Sequence, residues 1–342
     1  MGRLFRLVSG IACAGIVTLG AAEGPCSYAT QLSDLALREY GARQGVASRL
    51  KGLPARAATS SANAPVEAAT IPHRNLVDSE LFGTLISAKL PVARLATDEE
   101  FVRRIYLDLT GYLPSGDQVA AFLADRSGDK RGRLIATLVN SPEFVDRWTM
   151  WLGDLFENTS QSSNVNRQAQ GRNAFHSWIR DSLNQFKSVD RMVVELLTAR
   201  GNTYGAETGA ANYLVGGVTP MGPPQDTYDT LFAQNARRFL GMAQYDCILC
   251  HDGQRRLEQL SLYFGQAKRA DAQRMAAFFA RVRFQRPRVP QEDPLFNSFD
   301  VSDQPRGDYL LNTDFGNRPA RRPIEGNSTL TPRWRDGRVP AS

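Results

Sequence analysis

Between Thr97 and Phe156 the chain stops and restarts a helix several times, and each stop carries its own chemical signal. Thr97-Asp98-Glu99-Glu100 has the form of a capping box. The Thr side chain can accept from a first-turn amide while Glu100 reaches back to the Thr97 amide. The helix it opens places Phe101, Val102, Ile105 and Leu109 on one side, and Gly111 and Pro114 end it. Ser115-Gly116-Asp117 starts a shorter helix with Val119, Phe122 and Leu123 on its apolar side. Lys130 to Val139 groups Leu134, Ile135 and Leu138. Ser141-Pro142-Glu143 restarts the chain again, with Ser as cap, Pro at the first helical position and an acid at the positive end of the dipole. That helix runs to about Phe156, with Phe144, Val145, Trp148, Leu152 and Leu155 facing inward.

The same punctuation extends in both directions. Leu76 to Lys89 reads as one helix, stopped before Pro91. Helices resume at Asn173–Phe186 and after Ser188, where Met192, Val193, Leu196 and Leu197 make a stripe. Residues 158–170 read as a polar loop, and residues 200–225, rich in Gly and Pro, as an irregular segment. Asp226 or Thr227 then caps a helix bearing Tyr228, Leu231, Phe232, Phe239 and Leu240. A last helix, Asp271 to Val282, presents Met275, Phe278, Phe279 and Val282. No internal repeat and no run of alternating strands is evident. The fold class is therefore mainly α, an irregular multi-helix domain with long Gly/Pro-rich connections, spanning residues 75–284. Residues 285–342 are rich in Arg, Pro, Asn and Gly with little periodicity, and read as an extended or partly disordered tail.

The N-terminus has the form of an export signal. Arg3 and Arg6 precede an uncharged run from Leu7 to Ala22, and small residues at Gly20 and Ala22 suit cleavage before Glu23. The run falls short of the ~20 apolar residues of a spanning helix, so the mature chain carries no stable membrane span. Residues 23–74 read as an N-terminal segment and flexible linker. The expected location is exported, periplasmic or secreted. With a net charge of +6 over 342 residues, the composition suits solubility or an anionic partner and does not name nucleic acid.

Cys247-Ile248-Leu249-Cys250-His251 is the C-x-x-C-H arrangement of covalent c-type haem attachment. Two thiols at this spacing can reach the two vinyl groups of one haem, and the histidine can serve as proximal iron ligand. Two of the four cysteines and one of the three histidines of the chain fall within these five residues. With Cys13 removed in the signal, Cys26, Cys247 and Cys250 remain, an odd number that fits two thioethers and one left over. Two alternatives stand beside haem. An oxidising compartment favours a Cys247–Cys250 disulfide. Structural zinc would fall one ligand short and would need Cys26, His176 or His73 from a distance. The distal iron position is open: Met221 lies in the Gly/Pro-rich segment that could fold over a haem face, Met242 is too close to the first thiol to swing across easily, Met275 reads as core, His176 reads as a packed or surface residue, and a five-coordinate iron is equally compatible. Asp98, Glu99 and Asp108 have no spacing that argues for acid–base catalysis, and no phosphate loop or nucleophile elbow is present. No catalytic constellation emerges, so the chain reads as a non-enzyme by itself.

Several separated strings resemble one family. Asp98 to Pro114, then Asp129-Lys130-Arg131, Ser141 to Phe144 with Arg147-Trp148, Phe239-Leu240-Gly241, Cys247 to Asp252, and Ala276 to Arg281 resemble the planctomycete cytochrome C-type domain (domain two), a bacterial domain of unknown function. The resemblance covers roughly Asn75 to Gly337. It implies an exported protein with a C-x-x-C-H and, often, a second domain of unknown function, whose junction Thr331 to Gly337 resembles. The tail would then lead to a second domain that this chain lacks. Members commonly continue the motif as His-Asp-His-Pro, whereas this chain has His251-Asp252-Gly253-Gln254. The expected function is electron transfer or redox sensing through one haem c, with an unknown redox or protein partner. The alternative is a non-enzymatic structural or binding module, accessory to a polymer-degrading system in the family context.

Overall fold

The computed structural model describes residues 71–340, apart from residues 72, 91, 93, 94, 163 and 164. The expected export signal, most of the expected linker, Cys13 and Cys26 lie outside the described residues. Twelve α-helices and two small antiparallel sheets make a mainly α fold among the described residues.

The first five helices are α1 (Leu76–Ser87), α2 (Asp98–Thr110), α3 (Gly116–Ala124), α4 (Lys130–Val139) and α5 (Pro142–Leu155). Their ends are where the sequence signals fall. The capping box at Thr97 forms in full, Ser115 forms a second one with Gln118, and Ser141 accepts from the Phe144 amide. Gly111 closes α2 at φ 77°, a left-handed conformation that glycine adopts without strain. α5 packs on α2 and on α6 (Gln168–Asn184). Asp98 ties the first turn of α2 to α4 through Lys130 at 2.6 Å and Arg131 at 2.8 Å.

Then follow α7 (Val189–Leu197), β1 (Gly201–Asn202), α8 (Ala211–Val215) and α9 (Pro224–Leu240). The helix at α6 begins five residues earlier than its periodicity suggested, and α9 begins at Pro224 with Pro223 as its cap rather than at Asp226. α10 (Tyr245–Ile248), α11 (Leu262–Gly265) and α12 (Arg269–Ala276) come next, and a 3-10 turn Ala277–Phe279 continues α12. The helix expected to run through Val282 stops there: Val282 to Gln285 is strand β2. β3 (Asp300–Asp303) pairs antiparallel with both β1 and β2, in the order β1-β3-β2, and β4 (Tyr309–Leu310) pairs with β5 (Thr329–Leu330). The strands are two to four residues long, too short to show as alternation in sequence.

Two apolar cores hold the fold, and the C-x-x-C-H belongs to the second. One gathers Phe156, Phe175, Ile179, Leu196, Tyr213 and Leu231, with stacked Phe156 and Phe175 rings 6.1 Å apart. The other gathers Phe232, Tyr245, Ile248, Leu249, Phe264 and Ala276. α9 belongs to both, through Leu231 in the first and Tyr228, Phe232 and Ala236 in the second. Fully burying a side chain of this size stabilises by about 1.5–3 kcal/mol. The tail also enters the second core. Residues 285–340 hold little helix, yet Tyr309, Leu311 and Leu330 are buried there. Extended backbone reads as unstructured in sequence when its burial comes from partners far away in the chain.

Candidate functional site

α9 ends on Gly241 at φ 66°, and the Met242 amide donates to the Ala236 carbonyl. This left-handed stop turns the chain directly into the C-x-x-C-H. The motif is itself helical: the Cys247 carbonyl accepts from the Cys250 amide at 3.0 Å and from the His251 amide at 3.2 Å. Residues three apart on such a turn share a face, so Cys247 and Cys250 lie side by side. Ile248 and Leu249, between them, are completely buried in the second core and anchor the turn. Both cysteines are half-buried, and they are thiols, not bridged to each other as the disulfide alternative required.

His251 follows on the same turn. Its Nδ1 lies 2.8 Å from the Asp252 carbonyl. An Nδ1–H donated to that carbonyl leaves Nε2 with its lone pair, the arrangement that orients a metal-ligating imidazole. The Asp252 carboxylate is fixed in turn by the Arg269 amide at 2.8 Å and the Lys268 ammonium at 3.5 Å. The next residue explains the departure from His-Asp-His. The Gly253 amide donates to the Ala267 carbonyl, and a Cβ at this position would lie 1.6 Å from the Phe264 carbonyl oxygen. No side chain fits at 253 unless the α11 segment moves away.

A strap from the tail crosses the motif. Arg318 donates to the Asp246 carbonyl at 3.0 Å and to the Cys250 sulfur at 3.5 Å, and pairs with the Asp246 carboxylate at 2.6 Å. Burial works against the charge on Arg318, but its bonds to Cys250 and Asp246 outweigh that cost and raise its pKa above the ordinary guanidinium value. Arg269 holds the strap from below, donating to the Leu249, Pro319 and Ala320 carbonyls.

The strap is anchored by a buried charge network. Arg321 is fully buried and donates to Asp226 at 2.6 Å and Asp229 at 2.7 Å, both on α9. The Tyr309 hydroxyl donates to Asp229 and accepts from Arg321. Burial raises the Asp229 pKa despite the opposing pull of Arg321 and Tyr309. A buried cation shared by two carboxylates is costly to assemble and costlier to break, so it fixes the strap to α9 and α9 to the motif. None of these partners was legible in sequence. Arg318 and Arg321 sit in a basic, irregular tail, and their carboxylates lie 72 to 95 residues away.

The other candidates fall elsewhere. Met221 is fully exposed at φ 62°. Met275 is buried in the second core, as its helical stripe suggested, and Met242 is half-buried against the same core as Cys247. His176 is half-buried in a cleft of about 400 Å³ between α5 and α6, with Asp154 and Arg172. His73 is exposed and stacks on Phe82. Among the described residues, no group of three or more His, Cys, Asp or Glu is placed to hold a metal ion, as structural zinc would need. Nor is any described helix long and apolar enough to cross a membrane.

The local geometry fits a covalent haem at the level of its donors: two adjacent thiols on one turn, not bridged to each other, and an imidazole whose Nδ1 is already engaged. The Arg318 guanidinium on Cys250 is a contact that competes. A mainly α domain with a thiol–imidazole turn at the end of its central helix is thus the class that the fold and site define. The PSCyt2 family model, described as a protein of unknown function (DUF1549), matches residues 76–284, and the chain belongs to that family, the planctomycete cytochrome C domain two family. No curated protein and no solved structure matches the chain.

Proposed function

We propose that this chain is an exported protein that carries one covalent c-type haem on Cys247, Cys250 and His251, and that it serves electron transfer or redox sensing. The observation that carries this is the His251 ring. Its Nδ1 is engaged by the Asp252 carbonyl, which presets Nε2 as the ligating nitrogen beside two thiols on the same turn. When bound, a haem supplies a one-electron iron couple whose potential depends on axial ligand and burial. Cys247 and Cys250 would anchor it, His251 would be the proximal ligand, and Asp252, tied to Lys268 and Arg269, would hold the imidazole's backbone in place. Arg318 would give up Cys250 and keep its pairing with Asp246.

The test is to export the chain in a host with a c-type haem maturation system and record a pyridine haemochrome spectrum after denaturation. A haemochrome that stays with the denatured chain is expected. A chain that matures beside a control cytochrome and shows no such band contradicts the proposal.

A further inference from the structure

One apolar groove of the described surface has no part in the haem proposal. A groove of about 520 Å³ opens between the C-terminal halves of α7 and α9, the end of α12 and the tail. Its walls are Phe232, Phe239, Leu240, Phe278, Phe279 and Trp334. Trp334 leans on Phe278 with ring centroids 4.4 Å apart. Leu240 is 58% exposed and Trp334 43%, so water now covers apolar surface that a ligand would cover better. The volume lies within the range of about 300–1,000 Å³ typical of small-molecule sites.

The polar groups at this groove define what it can hold. Asn235, the polar side chain at its base, is already satisfied: its Oδ1 accepts from Tyr213 and its Nδ2 donates to the Leu231 carbonyl, both at 2.7 Å. Nothing at the base asks for a hydroxyl or an amide, so a sugar or peptide backbone would be desolvated there without compensation. Three charges stand at the rim, Arg200, Asp303 and Arg281. Arg200 and Asp303 pair with each other. The Arg281 side chain is exposed and meets no hydrogen-bond or ion-pair partner among the described residues. The rim therefore carries one uncompensated positive charge beside an apolar trough.

We propose that this groove binds a single-chain amphiphile with a carboxylate head, a long-chain fatty acid. Its alkyl chain lies among the Phe and Trp rings and its carboxylate pairs with Arg281. The site is separate from Cys247, Cys250 and His251, and it stands whether or not haem is attached.

Laurate, below its micelle concentration, is titrated into the full chain by calorimetry and by Trp334 fluorescence. Dodecyltrimethylammonium and dodecanol, matched in chain length, are the comparators. Saturable laurate binding is expected, about tenfold or more tighter than the cation. Arg281→Glu should reverse that preference, and Leu240→Glu should weaken laurate while leaving the melting temperature unchanged, since both side chains are exposed. The fluorescence response should disappear in Trp334→Phe with calorimetric binding retained. Absence of saturable binding, equal affinity for laurate and the cation, or an Arg281→Glu variant that binds laurate as the parent does would overturn the proposal. So would a concentration-dependent dimer abolished by Leu240→Glu, which would assign the groove to a second copy of the chain.

Discussion

The stretch from Thr97 to Leu155, built mainly on helices, and the stretch from Pro224 to Leu330, where helix gives way to short strands and extended chain, are held together by different means. In the first, the helix starts are set locally. α2, α3 and α5 each begin on a side-chain cap within three residues, and few side chains are buried, Val102, Phe122, Leu138 and Val145 among them. In the second, α9 is capped by a proline without a side-chain hydrogen bond, and much of its length is buried. Its partners come from far along the chain: Arg321, Tyr309 and Asn317 all bond to Asp226 or Asp229. Local capping sets where helices start. Long-range buried charge sets where the thiol turn sits.

The largest effect should come from cutting the long-range network. Arg321→Met leaves Asp226 and Asp229 buried without their cation, and should cost about 3–5 kcal/mol in urea unfolding. A loss within about 1 kcal/mol, the size of a cap, would erase the distinction between the two regions. Next is Gly253→His, which restores the residue of the family pattern where a Cβ meets the Phe264 carbonyl. It should destabilise by about 1–3 kcal/mol or more, and a neutral result would mean that the α11 segment yields freely. Thr97→Ala in the first region should cost about 1 kcal/mol, with the loss confined to α2 amides in hydrogen exchange.

Arg318→Ala is subtler. It removes hydrogen bonds of about 1 kcal/mol each, so the amides of residues 314–320 should exchange faster while those of α9 keep their protection. Equal acceleration in α9 would show that the strap and the network are one unit. The smallest effect is in acid. Asp125 is held down to about 2 from 3.8 by the Ser127 hydroxyl and amide and by Arg133. The folded state therefore binds this proton less readily than the unfolded chain. Its contribution is intact above pH 3.8 and is lost as pH falls through about 2. A side-chain NMR titration of Asp125 with a midpoint near the ordinary carboxylate value would remove that contribution.

The same contrast explains what the sequence made legible. The helices of the first region could be placed to within a residue or two because Thr97, Ser115 and Ser141 write their caps beside them. Cys247, Cys250 and His251 could be singled out because their spacing is local, and the structure keeps them on one turn. Arg318, Arg269 and Arg321 could not, since each acts on residues outside its own stretch, and the tail that holds Arg318 and Arg321 carries no period. The strands failed for a related reason. β1 offers two residues and β3 four, and their pairing joins segments about a hundred residues apart. Gly253 looked like a missing histidine, and its role emerges only from the approach of the Phe264 carbonyl.

Covalent attachment at the thiol turn is most directly tested by the intact mass of the denatured chain matured with c-type haem machinery. The native chain should gain the mass of one haem. Cys247→Ala or Cys250→Ala should keep it through a single thioether at reduced yield, and the double variant should lose it. A native chain of unmodified mass, from cells in which a control cytochrome is fully loaded, would contradict the assignment of Cys247, Cys250 and His251 to a haem.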